Sequence, residues 1–525
     1  MDIMFVASEV APYSKTGGLA DVCSALPKAL DHLGHNVILV TPLYKCVREY
    51  FQRMAQPLEQ LYGVTLEAPV GKLTKRAGVC RATLPESNVT IYFIEHDDYF
   101  NRDGLYNQGQ VDYQDNCARY SFFCRCALEL IRRLSLHVDI IHANDWQTGL
   151  IPVFLDTIYK SEEASRFYEQ SQVSWGERFR PRIDRMIDEY GKSLYDHIKT
   201  VITIHNLRHQ GKFCRDAMDL VGLDWSLFTF DKLEFYGQLN LLKAGLVFSD
   251  LITTVSPRYA EEIQTVEFGE RLQGVLQCRA SDLVGILNGV DIDEWNPATD
   301  PTLAANYDVD SFKVGKAICK ASLQKKVGLP QDPETPLFGV VSRFDAQKGL
   351  DLVAQCAPTL IEKERAQFVV LGSGDRTLTK RFLELAQRYP NNFATRTEFS
   401  VELSHQIEAG IDIFLMPSRY EPCGLNQFYS LRYGSLPVVR DVGGLHDSVV
   451  NASDENINAG VANGFLFYWS QAEDMLSAIN WALHCYRHRH NDWDNMIRTA
   501  MSTDLSWNRS AKRYAELYQD LIKTR

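Results

Sequence analysis

The sequence predicts an α/β protein made of two doubly wound domains, and three observations carry that reading. Short, continuous apolar runs of strand length recur along the chain. They alternate with stretches whose apolar residues step by three and four, as parallel strands alternate with the helices that cover them. The rhythm breaks at GILNGVDIDEWNP, residues 285–297, and restarts at PLFGVVS. The length of 525 residues also exceeds what one ordinary core encloses.

The first strand is IMFVAS. The helix after it has apolar positions Leu19, Val22, Leu26, Leu30 and Leu33, Gly34 as its stop signal, and Pro27 inside as a source of a kink. NVILV is the next strand. Strand, helix and strand form a crossover unit, so the pairing is parallel. HVDIIHA ends at Asn144-Asp145-Trp146, TVITIH at His205-Asn206, and LITTVS runs into the helix-like PRYAEEI. In the second half PLFGVVS leads to a helix from Gly349. QFVVLGSGD follows, then DIFLMPS with a helix from Gly424, then LPVVRD with a turn at Gly443-Gly444. These divisions give an N-terminal domain over 1–290 and a C-terminal domain over 291–499. The helical tail at about 500–525 (AKRYAELYQDLIK) is expected to pack back on the first domain. Residues 160–198 break the rhythm; they are charged and helix-compatible, and read as an insertion that covers a groove or mediates self-association.

Composition excludes several classes. Lys and Arg number 55 against 67 Asp and Glu, a net charge of −12, which argues against a general nucleic-acid binder. No run approaches the roughly 18 apolar residues of a membrane span. Asp2 and Glu9 interrupt any signal-peptide pattern. The 12 cysteines are scattered, with Cys124 and Cys126 the nearest pair and no Cys-x-x-Cys. The expectation is a cytoplasmic protein with reduced thiols and neither membrane nor nucleic acid as partner. A removed plastid transit peptide and a homo-oligomer are left open.

In open α/β sheets ligands bind at the carboxyl ends of the strands. Lys15, Asp145, His205, Arg343, Lys348 and Glu421 all fall there. Singly, each has a plainer reading. Lys15-Thr16-Gly17-Gly18 is a tight turn or an anion site at a helix start. Arg343 and Lys348 are an exposed basic loop or a diphosphate clamp. Glu421 is a first-turn charge or an acceptor for sugar hydroxyls, and His205 is a satisfied core histidine or a ligand. Cys423 lacks a neighbouring histidine to act as a nucleophile. Six such residues divided between two domains favour a cleft.

The motifs KTGGLADV, HANDWQTGL, TIHNLRHQG, GILNGVDIDEWNP, SRFDAQKG, LGSGD, PSRYEPCGLNQ and VGGLHDSV occur in this order. The chain resembles the bacterial glycogen synthases and plant starch synthases, glycosyltransferase family 5, from about residue 3 to its end except for 160–198. The resemblance implies a GT-B fold, two Rossmann-like domains facing a deep inter-domain cleft that closes over the donor. It implies retaining transfer of glucose from a nucleotide sugar, ADP-glucose or UDP-glucose, to the non-reducing end of an α-1,4-glucan. The transfer is front-face, without metal or cofactor. By the same resemblance Lys15, His205, Arg343, Lys348 and Glu421 carry catalysis. Gly17, Gly18, Asp21, Asn288, Gly372, Gly374, Cys423, Gly424, Gly443, Gly444 and Leu445 hold the donor. Glu9, Tyr99 in the loop to Tyr106, and Asp145 lie toward the acceptor.

The chain departs from the family pattern at Ala20, Arg208-His209, Val442 and the 160–198 insertion. The insertion and Val442 are what a second reading would cite: a glucan-binding or priming-partner protein with weakened chemistry. A glucan phosphorylase would need a Schiff-base lysine motif for pyridoxal phosphate, and none matches.

Overall fold

The computed structural model describes residues 1–109, 111–160, 194–398 and 400–523. The 160–198 insertion therefore falls largely outside the described residues. The chain divides into two compact units. The first comprises Met1–Val255, Ala260–Ile286 and Trp507–Arg525, the second Ser256–Tyr259 and Leu287–Ser506.

In the first unit seven strands pair in parallel, in the order Leu283–Gly285, Leu251–Thr254, Lys199–Ile204, Ile140–Asn144, Asp2–Val6, Asn36–Pro42 and Thr90–Glu95. Their apolar runs are buried on both faces; Ile3, Met4, Phe5 and Val6 are each at most 1% exposed. The order reverses between Asp2–Val6 and Ile140–Asn144, which makes the carboxyl ends of these two strands the switch point of the sheet. Register brings Val6 beside Ala143, and Asn144 beside Thr203. The loops after residues 6, 144 and 204 therefore leave the same edge.

Beyond Thr90–Glu95 the sheet turns antiparallel through Leu73–Thr83, which also pairs with Glu59–Gln60 and Leu66–Val70. The sequence reading had no strands here. The helix Gly18–His32 carries Pro27 in its interior and continues past it. Leu33, expected on the apolar face, is 37% exposed. The helix ends at His32, and Gly34 in the left-handed region turns the chain away. The helix Trp507–Lys523 belongs to the first unit and buries Trp507, Ala511, Tyr514 and Tyr518, one face at helical spacing. The Tyr518 hydroxyl bonds His142 Nδ1 at 2.7 Å.

The second unit holds a six-stranded parallel sheet in the order Phe393–Arg396, Gln367–Leu371, Leu337–Val341, Ile413–Met416, Leu436–Arg440 and Phe465–Phe467. Counted within the unit this is 3-2-1-4-5-6, the Rossmann order. Its switch point lies between Leu337–Val341 and Ile413–Met416, so the loops at residues 342–349 and 417–425 leave adjacent strand ends.

Candidate active site

In the first unit Glu9 organises the loop after the first strand. It is 3% exposed. Its Oε2 accepts the backbone N–H groups of Thr16 at 2.5 Å and Gly17 at 3.3 Å. Its Oε1 accepts the Thr16 hydroxyl and the Tyr106 hydroxyl, each at 2.6 Å. Four donors fill the acceptor capacity of the carboxylate, so Glu9 serves as the clasp of the Lys15–Gly18 loop. Tyr106 gives its proton to Glu9, and the Ser8 hydroxyl at 2.7 Å therefore donates to Tyr106. Lys15 stands outside this clasp. Its side chain is 54% exposed and pairs with Asp21 at 2.6 Å. Gly17 is extended, and a Cβ built on it meets nothing within 4 Å. The fold does not require a glycine there; the open space suits close approach of a ligand to the backbone. Ala20 is fully buried, its carbonyl accepting the Ala11 N–H at 3.1 Å, so packing accommodates the extra methyl.

Asp145 and His205 adjoin at the ends of neighbouring strands. Asp145 sits at φ 56°, unusual for a residue with a side chain. Its Oδ1 accepts the His205 backbone N–H at 2.8 Å. Burial raises the Asp145 carboxyl to about 7, against the backbone N–H groups of His205 and Asn206 that favour its charge. The His205 ring meets Asn144 Oδ1 through Nε2 at 2.9 Å. The Asn144 amide is oriented by Nδ2 donating to the carbonyls of Val6 and His142. Oδ1 can only accept, so Nε2 carries the proton and Nδ1 the lone pair. Burial lowers His205 to about 3, which leaves a neutral imidazole at neutral pH. Asn144, Ser8 and Thr16 thus position the expected residues although sequence reasoning gave none of them a role of its own; their one signal was adjacency to Asp145, Glu9 and Lys15. Tyr106 closes the loop expected on the acceptor side.

Tyr99 is not joined to this group. Its ring is 6% exposed, stacks on His96 at 4.6 Å and faces Lys75 Nζ at 4.8 Å. Burial pushes its hydroxyl to about 12. Within the expected YFNRDGLY loop, Tyr106 is the aromatic that reaches Glu9.

In the second unit Lys348 Nζ pairs with Glu421 Oε2 at 2.6 Å, their side chains 16% and 6% exposed. Ser418 Oγ donates to the same oxygen at 2.8 Å. Two residues from different loops are thus joined in a partly buried ion pair at the switch point. Arg343 is exposed and makes no ion pair among the described residues. The LGSGD loop lies along its loop: Phe344 N–H donates to Ser373 O and Asp375 N–H to Phe344 O. A Cβ on Gly372 would stand 1.8 Å from Ser342 O, so Gly372 and Gly374 shape the Arg343 loop.

The Glu421–Gly424 loop and the start of the helix Gly443–Ser448 interlock. Gly443 has φ 44°, and a Cβ there would lie 1.9 Å from Glu421 O. What the sequence reads as a turn at Gly443-Gly444 is the first turn of this helix. The Gly444 N–H donates to Glu421 O at 3.1 Å and the Leu445 N–H to Val442 O at 3.0 Å, so both N–H groups have partners inside the protein. Val442 caps the helix without a side-chain bond, where a threonine hydroxyl would serve. The Cys423 thiol faces the Asn288 backbone N–H, and burial pushes it well above the ordinary thiol range, which rules out a resting thiolate. Asn288 is buried, and its Oδ1 has no hydrogen-bond partner among the described residues. Water or a bound ligand can supply the donor that such an acceptor lacks.

The starch synthase catalytic domain family matches residues 2–169 and 185–278, and the glycosyl transferases group 1 family matches residues 322–499. A glycogen synthase of Koribacter versatilis is 43% identical over 525 residues, covering 100% of this chain and 99% of that protein. Glycogen synthase 1 of Geobacter sulfurreducens is 41% identical over 526 residues, covering 100% and 97%. The chain belongs to the glycogen/starch synthase family. The catalytic domain of starch synthase IV from Arabidopsis thaliana, solved with ADP and acarbose, matches with a TM-score of 0.84 at 31% identity over 99% of each chain. Sucrose-phosphate synthase from Thermosynechococcus elongatus, 15% identical at a TM-score of 0.54 over 100% of each chain, shares the fold.

This glycogen/starch synthase has the GT-B class expected from its sequence, with a Rossmann-like α/β unit in each half. It is a glucan-elongating glycosyltransferase. No helix among the described residues is long and apolar enough to cross a membrane. Among the described residues the one cluster able to hold a metal, His137, Asp139 and His197, includes none of the candidate catalytic residues.

Proposed function

We propose that this glycogen/starch synthase is a retaining α-glucosyltransferase extending α-1,4-glucan at its non-reducing end. Its donor is ADP-glucose, with UDP-glucose as the second candidate, and the reaction needs neither metal nor cofactor. The observation that carries the proposal is the partly buried Lys348–Glu421 pair at a Rossmann switch point. A lysine there meets a diphosphate as a point charge, and its three N–H donors let it keep Glu421 while it does so.

In this reading the acceptor 4-hydroxyl attacks the anomeric carbon on the face from which the diphosphate leaves. The carbon–oxygen bond to phosphate breaks, and the hydroxyl proton passes to the departing phosphate oxygen. Lys15, Arg343 and Lys348 neutralise the charge that grows on the diphosphate, in place of a metal. Glu421 accepts from the 3- and 4-hydroxyls of the donor glucose. His205, neutral and protonated on Nε2, offers Nδ1 to the 6-hydroxyl. Asn288 Oδ1 finds its donor on the nucleotide sugar. The location is read as cytoplasmic.

The test gives purified protein ADP-glucose or UDP-glucose with a malto-oligosaccharide, with and without EDTA, and reads the new linkage by proton NMR. The proposal expects longer chains, α linkages, faster transfer from ADP-glucose and no effect of EDTA. β linkages would refute retention, loss of activity in EDTA would refute metal independence, and no elongation with either donor would sink the reading as a whole.

A further inference from the structure

We propose that the amino-terminal edge of the first unit's sheet is a divalent transition-metal site formed by His137, Asp139 and His197, with Zn²⁺ as the ion its chemistry fits. One ligand atom from each residue lies within 4.8 Å of the others, and all three residues are partly exposed. The His137 and His197 rings are 5.6 Å apart. The topology assembles the set: Asp139 immediately precedes the strand Ile140–Asn144, and His197 stands two residues before Lys199–Ile204. Ile140 pairs with both Ile3 and Lys199, so these strand beginnings share one edge.

A built surround supports the ligands. Asp2 Oδ2 bonds His137 Nδ1 at 2.8 Å, and Asn36 Nδ2 donates to the other oxygen of Asp2 at 2.5 Å. A carboxylate on Nδ1 fixes the proton there, and the ion would then take the Nε2 lone pair, the usual arrangement around a metal-bound imidazole. Asp139 Oδ2 accepts the Asp2 backbone N–H at 2.8 Å, which orients its carboxylate. Two imidazoles and one carboxylate suit a borderline ion; magnesium and calcium prefer all-oxygen sets. Bonds of about 2.0–2.1 Å require ligand atoms about 3.3 Å apart in a tetrahedron, so small side-chain rotations close the site on the ion, with water as fourth ligand.

This edge is opposite to the strand ends that carry Asp145 and His205, about 15 Å away along the strands. The ion would tie the start of Ile140–Asn144 to the point where the chain returns from the 160–198 insertion. It acts as a staple and takes no part in glucosyl transfer.

The test uses the full chain, with exposed Cys214 and Cys278 alkylated and metal removed by a chelator. Zn²⁺ is then titrated by calorimetry. One equivalent is expected, with a raised melting temperature. His137→Ala and His197→Ala should each weaken binding at least tenfold, and Asp2→Asn by about 10–100-fold. Metal-free glucosyl transfer should be unchanged in His197→Ala. Zn²⁺ binding that survives both histidine substitutions, no binding at all, or equal binding of Mg²⁺ would overturn the proposal.

Discussion

At the scale of single residues, the Glu9 carboxylate holds the backbone of Thr16 and Gly17, the Thr16 hydroxyl and Tyr106 together. Glu9→Gln keeps the shape but replaces one accepting oxygen by a donor facing other donors. Each charge-assisted bond lost costs about 1.5–3 kcal/mol, and a loop displaced by about 1 Å can cost about a hundredfold in rate. The expected outcome is a fall in kcat of that order with a lowered melting temperature, measured by steady-state kinetics and calorimetry. A variant with full turnover would remove Glu9 from the loop's support. Asp145 gives a pH-dependent prediction. Its folded carboxyl is raised to about 7 from 3.8, so its stabilising contribution is complete below pH 3.8 and lost as pH rises through 7. Asp145→Asn retains an oxygen for the His205 N–H and removes the titration. The variant should gain stability relative to the parent between pH 4 and 8, by on the order of a few kcal/mol, in denaturant titrations at several pH values. Parallel stability curves for the two proteins would contradict this assignment. The candidate residues Lys15, Asp145, His205, Arg343, Lys348 and Glu421 were legible as strand-end loop residues because each follows an apolar strand. What Glu9 and Tyr106 do was not legible, because their bonding depends on a loop closing over residues about a hundred positions apart.

At the scale of elements, the glycines fasten the loops of the second unit to one another. Gly443 combines φ 44° with an approach to Glu421 O that leaves no room for a Cβ. Gly443→Ala must therefore move the Glu421 loop and disturb the Lys348–Glu421 pair. Expected losses are roughly 1–3 kcal/mol of stability from the backbone alone and most of the turnover; a fully active, equally stable variant would show that the loops do not depend on each other. Parallel strands such as Asp2–Val6 and Leu337–Val341 were readable as apolar runs because they are buried on both faces. The antiparallel extension was not. Leu66–Val70 alternates buried and exposed residues over a span too short to stand out and contains Pro69, which argues against a strand when read locally. Leu33 was misread because an apolar residue at helical spacing was counted past the point where Gly34 ends the helix.

At the scale of the whole molecule, two Rossmann-like units follow from one pattern used twice, and the final helix shows where sequence order and spatial order part. Trp507–Lys523 follows the second unit in the chain and completes the first, where Tyr518 holds His142 in the middle of a buried strand. His142 also meets the Thr203 hydroxyl, so both ring nitrogens have partners and the strand tolerates a buried imidazole. The proposed transfer uses Lys15 and Arg343 as cations that meet the departing diphosphate. Lys15 and Arg343 are both exposed, and an exposed cation contributes at most about 1 kcal/mol to stability, so removing either leaves the fold intact. The decisive measurement is malto-oligosaccharide elongation from ADP-glucose by the parent protein, Lys15→Ala and Arg343→Ala, with melting temperatures taken alongside. Each variant is expected to melt with the parent and to elongate on the order of 10²–10³ times more slowly. Elongation at the parental rate by either folded variant would contradict this use of the two cations.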